Sequence, residues 1–145
     1  MTWWSVVRFL HVLTAALWVG GQLTVSLVVL PLARRLLDAE QRATVLNAVG
    51  RRFGVFTAAV FLPVQIGTGV AMAWRKGVTW ASLMEPGYGQ ILAAKLALFC
   101  AVMAAAGAHG VASTKGRPRL ARVLAVASLV GSVGIIVLAA ALPST

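Results

Sequence analysis

Acid is what this sequence has least of. Three Asp and Glu stand in 145 residues against thirteen Lys and Arg. The three acids, Asp38, Glu40 and Glu85, all fall between apolar stretches rather than inside them. With no carboxylate in an apolar run, zinc hydrolysis, a Ser-His-Asp triad and proton pumping through acids all lack support. No phosphate-cradling loop, low-complexity tract or convincing internal repeat is present. Charge of either sign is scarce: 11% of residues are charged, where a soluble domain carries roughly 25%. The polar residues are too few to cover a water-soluble surface. The single cysteine, Cys100, excludes an internal disulfide and leaves the redox compartment open. No basic segment precedes the first apolar stretch and no A-x-A-type site stands out, so that stretch is expected to be retained.

What is there is hydrophobic: 60% of residues are apolar. A membrane-spanning helix needs about 20 mostly apolar residues, and four stretches qualify. They run over residues 3–30, ended by Pro31; 53–74; 89–112; and 120–142, ended by Pro143. The sequence therefore predicts an all-α integral membrane four-helix bundle forming one domain. Between the first two spans, residues 32–52 are too charged for lipid. Leu32, Leu36, Ala43, Leu46 and Val49 recur at helical spacing, and Asp38 precedes Arg42 by four. This predicts an amphipathic cytoplasmic helix with Pro31 in its first turn, or a continuation of the first span.

The excess of base could suggest nucleic acid, but the basic residues sit at the ends of apolar segments, where they set topology and meet anionic headgroups. No nucleic-acid partner is expected, only membrane lipid. Arg34, Arg35, Arg42, Arg51 and Arg52 flank the first connection, and Lys115, Arg117, Arg119 and Arg122 the third. Only Arg75 and Lys76 stand in the second. The positive-inside bias puts both termini outside. Trp3, Trp4, Trp74, Trp80 and Tyr88 then fall near the outer boundary, where amphipathic rings prefer to sit.

The first span carries the costly residues. Arg8, His11, Thr14, Trp18, Gln22 and Ser26 follow spacings of three or four and share one face. Ionisable groups inside a span are expensive and usually functional. Lys95 lies about as far into the third span as His11 does into the first, at roughly 10–12 Å below the helix start. The two are expected to share a site. The plainer readings are a snorkelling Lys95, a neutral His11 bonded to another helix's hydroxyl or carbonyl, and an Arg8 that serves the boundary. His109, roughly 21 Å deeper than Lys95 by helical rise, marks the far end of an internal path, an axial ligand of a separate site, or an interfacial histidine beside Gly107 and Gly110. The second span adds Thr57, Phe61, Gln65, Thr68 and Met72 on one face, with Pro63 able to kink it. Gly67 and Gly69 there, and Ser128, Gly131, Ser132 and Gly134 in the fourth span, allow close helix approach. That fourth span has no ionisable residue in its core and reads as scaffold.

Soft thiolates and thioethers suit copper(I), and imidazole also suits copper(II). Met72, Met84, Cys100, Met103, His11 and His109 are the available ligands, with no Met-x-x-Met or Cys-x-x-Cys pair. Haem needs an axial histidine, a slot between helices and basic groups for its propionates. His11 with Arg8 and Lys95 meets that description.

The segments FLHVLTAALWVGG (9–21), RRFGVFTAAV (51–60), TG (68–69) and YGQILAAKLALF (88–99) resemble, in order, the copper resistance protein D (CopD-like) family. The likeness covers the C-terminal-type membrane domain of that family. It implies a bacterial inner-membrane protein tied to copper uptake or tolerance, often beside a periplasmic copper-binding partner. It also places His11, Trp18, Arg51, Arg52, Tyr88 and Lys95 at motif positions. HemJ-type protoporphyrinogen oxidases are more distantly similar, and they imply haem b binding with His11 and Lys95 as the important pair. The expectation is thus a copper-handling membrane protein, homo-oligomeric, with a cavity lined by His11, Gln22, Met72, Lys95 and Met103. Arg8, Trp18 and Gln65 lie around it. The alternatives are a haem b redox protein with His11 axial, and a non-catalytic partner subunit.

Overall fold

A computed structural model describes residues 2–142. The described residues contain no strand, and four long helices carry nearly all of them: α1, Trp3–Leu36; α2, Ala39–Arg75; α3, Tyr88–Thr114; and α4, Pro118–Ala141. Each is long and apolar enough to cross a membrane. The chain divides into two compact units, one ending at Gly77 and the other beginning at Val78.

In the first unit, α1 does not stop at Pro31. A proline lacks the N–H that would bond four residues back, and its ring crowds that carbonyl. The chain meets this with a wider turn over Val25–Val29, where the Leu30 N–H reaches back five residues to the Val25 carbonyl. The helix then runs through the proline to Leu36. The same device recurs in α2: a wide turn over Thr57–Phe61, a bond from the Leu62 N–H to the Thr57 carbonyl, then Pro63. Each proline is thus absorbed inside a continuous helix.

The stretch expected to be an amphipathic helix or a continuation of the first span is divided between the end of α1, which does continue to Leu36, and the start of α2. The break is Leu37–Asp38, both in extended backbone. Asp38 caps α2: its Oδ1 accepts the Gln41 N–H at 2.8 Å, and Gln41 Oε1 accepts the Asp38 N–H at 3.3 Å. Such a reciprocal cap contributes about 1 kcal/mol to the helix start. The helix that carries the second predicted span accordingly begins at Ala39, well ahead of residue 53.

The two helices of this unit run antiparallel. Arg75, at the end of α2, lies 4.6 Å from the ring centre of Trp4, at the start of α1. Midway, Trp18 is 2% exposed and stacks on Phe61, with centroids 4.8 Å apart and planes 9° off parallel. Further along, the Gly21 backbone passes so close to the Phe53 ring that a Cβ would collide with it.

In the second unit a short turn at Ser82–Met84 leads into α3. Gly89 sits under the Ser82 carbonyl, and a Cβ there would overlap the oxygen, so only glycine fits. At its other end α3 closes with a Schellman motif: Arg117 N–H to the Ala112 carbonyl at 2.9 Å and Gly116 N–H to Ser113 at 3.3 Å. Gly116 has φ +65°, the left-handed conformation that favours glycine. Pro118 then opens α4 in the first turn, where its missing N–H costs nothing. The helices pack through small residues: Gly131 faces Val102 and Leu98, Gly134 faces Leu98, and Ser128 and Ser132 are buried. The close approach expected of the fourth span is what α4 shows. Pro143, expected to end it, lies outside the described residues.

Candidate functional site

The polar faces of α1 and α2 meet at His11. Its Nδ1 lies 2.7 Å from Thr68 Oγ1 and its Nε2 3.0 Å from Gln65 Nε2. Thr14, one turn on in α1, places its Oγ1 2.9 Å from Gln65 Oε1. The site is a ring of four side chains, two from each helix, and all four are buried or half-buried.

Hydrogen-bond chemistry fixes who donates. An amide nitrogen can only donate, so His11 Nε2 accepts from Gln65. The ring proton then belongs on Nδ1 and goes to Thr68 Oγ1. Thr68 is free to receive it because its own proton goes to the Val64 carbonyl one turn back. The Thr14 proton lies between two acceptors at 2.9 Å, Gln65 Oε1 and the Leu10 carbonyl. With the Gln65 amide placed this way, the imidazole proton falls on Nδ1, toward a threonine on the neighbouring helix.

Packing holds this ring of contacts in place. A Cβ on Gly69 would stand 3.4 Å from His11 Cε1, so the small residue expected to allow close approach here lies against the imidazole. Nothing lies within 4 Å of a Cβ on Gly67, so that glycine is not a contact. Two turns from His11, Trp18 Nε1–H donates to Thr57 Oγ1 at 3.0 Å, while Thr57 donates to the Phe53 carbonyl at 2.8 Å. Trp18 is thereby a packing residue of the helix pair. Each such interhelical bond contributes about 0.6–2 kcal/mol in a membrane. The stripe is therefore also adhesive.

The other expected site residues distribute as follows. Gln22 and Met72 belong to the first unit and are half-buried, with Met72 one turn past Thr68; Arg8 is exposed. Lys95, Met103 and His109 belong to the second unit, all half-buried on α3. His109 Nδ1 lies 2.7 Å from the Ala121 carbonyl, an acceptor, so it donates and ties α3 to the first turn of α4. Among the described residues no three His, Cys, Asp or Glu side chains converge as a metal site. Thr14 and Thr68 are the members of the ring that the expected site residues did not include. Both stood on the polar stripes, three residues from His11 and Gln65 respectively.

No protein-family model, curated protein or solved structure matches the chain.

Proposed function

We propose that the chain is a multi-pass membrane protein that handles copper through His11, in the manner its likeness to the CopD-like family implies. One arrangement carries this reading: His11 Nδ1 sits 2.7 Å from Thr68 Oγ1 while the Gln65 amide nitrogen sits on Nε2, a pattern that puts the proton on Nδ1 and the lone pair on Nε2. Metal-binding histidines are oriented in this way, with the distal N–H anchored and the other nitrogen offered to the metal. Gln65, now on Nε2, would rotate away to admit the ion, leaving Thr14 to hold its amide oxygen. Met72 on the same face of α2 would supply a thioether, the donor copper(I) favours. Positive-inside orientation puts this site in the outer half of an inner membrane, both termini outside, within reach of a periplasmic copper carrier.

The test is copper(I) titration of the purified protein against a chromophoric chelator. Wild type competes for copper, His11→Ala loses most of the affinity, and Met72→Leu loses part. Equal binding by wild type and His11→Ala overturns the reading, and a variant that only melts earlier marks His11 as structural.

A second reading rests on the single converged imidazole. Haem b brings four ligands of its own and asks the protein for an axial group. His11 Nε2 fits that requirement without any further side chain. Bound haem would supply one-electron redox chemistry, while this chain's residues orient the ring and exclude water. A Soret band after haem-replete expression, absent in His11→Ala, supports it; colourless protein removes it.

A further inference from the structure

The connection between α3 and α4 carries a groove of about 340 Å³, lined by Ala108, Val111, Ala112, Leu120 and Leu124 with Lys115 and Arg117. The volume falls within the range of about 300–1,000 Å³ typical of ligand sites. Its floor is wholly aliphatic and its rim wholly cationic. We infer that this groove binds an anionic phospholipid, with the phosphate between Lys115 and Arg117 and the start of an acyl chain along Val111, Leu120 and Leu124.

Three observations carry the inference. First, the cations have no acidic competitor on their own helix pair: between residues 86 and 145 the chain has no Asp or Glu. Glu85, the last acid, precedes α3, whose 27 residues hold it roughly 40 Å from the rim. Second, the rim is built rather than loose. The Schellman closure and the Gly116 turn fix the backbone of both Lys115 and Arg117. Arg117 is also the N-cap position of α4, whose first-turn N–H groups have no helix carbonyl to bond. An anion held there meets two side-chain cations and the positive end of a 24-residue helix. Third, the groove opens outward, with Val111 53% and Leu120 44% exposed. In a bilayer that face meets lipid, so the phosphate arrives already attached to a chain that the aliphatic floor accepts. A free phosphate would leave that floor unused. The inference is independent of the copper reading, because no residue is shared.

Native mass spectrometry of the full-length protein, released from nanodiscs of phosphatidylcholine doped with phosphatidylglycerol, tests it. Retained phosphatidylglycerol should exceed phosphatidylcholine in the wild type. Lys115→Gln with Arg117→Gln should lower that retention about tenfold or more, since each basic residue near an anionic surface contributes a factor of about five. Ala108→Phe, which fills the floor and keeps the charge, should also reduce it. Arg34→Gln with Arg35→Gln removes equal charge from the other connection and should leave retention nearly unchanged. Equal losses from the two double variants would reduce the effect to general surface charge and overturn the site. So would displacement of the lipid by inorganic phosphate, or full retention in Ala108→Phe.

Discussion

The two helix pairs of this chain solve one problem in two ways. Lipid tails are as apolar as leucine, so helices in a membrane gain little by burying apolar surface against each other. The α3/α4 pair relies on close approach: glycines at 131 and 134 let Val102 and Leu98 reach the α4 backbone. The α1/α2 pair relies on polar side chains, with His11, Thr14, Gln65 and Thr68 in one cluster and Trp18 with Thr57 in another. Small residues give adhesion by contact alone. Polar side chains give adhesion and also leave an imidazole whose proton is placed. The pair joined by polar side chains is where the metal or haem site is proposed, and the other packs mainly by shape, with His109 adding a bond to the Ala121 carbonyl.

Substitutions can break that contrast in order of size. Gly131→Leu drives a side chain into Val102 and should cost about 1–3 kcal/mol, read as a lower detergent-unfolding midpoint by circular dichroism. His11→Ala removes two interhelical bonds and should cost about 1–2 kcal/mol. His11→Asn, which keeps a donor and an acceptor, should recover part of it. Gly67→Ala should reverse the sign, because its Cβ meets open space; removing a mid-helix glycine should stabilise by about 0.5–1 kcal/mol. Thr57→Val should cost least, about 0.6 kcal/mol. Its readout is a blue-shifted, more structured emission of the buried Trp18 against a background of the four other tryptophans replaced by phenylalanine.

Four long apolar helices were legible in the sequence because length and apolarity alone identify a helix that can cross a bilayer. The helix ends were not. Pro31 reads as a stop, yet a five-residue wide turn before it carries the helix to Leu36, and no local residue announces such a turn. Asp38 reads as an ion-pair partner for Arg42 and is an N-cap for Gln41. Both roles follow from its chemistry, and only the backbone chooses between them. At the site, helical spacing put His11, Thr14 and Trp18 on one face and Thr57, Gln65 and Thr68 on another. Spacing defines a face but not the neighbour that meets it. That is why Gln65 and Thr68 were separate from His11 in the sequence and are its bonding partners in the structure. Lys95 shares depth with His11 by count alone, a property many residues of spanning helices have, and it belongs to the other compact unit.

The placement of the His11 proton underlies everything argued for the site. Long-range ¹H–¹⁵N correlation of histidine-labelled protein in nanodiscs reads it directly, with only His11 and His109 to assign. The account predicts a protonated, pyrrole-type Nδ1 and an unprotonated, pyridine-type Nε2 for His11, with that pattern disturbed by Thr68→Val. A proton on Nε2 in the wild type, or a spectrum indifferent to Thr68→Val, would contradict it.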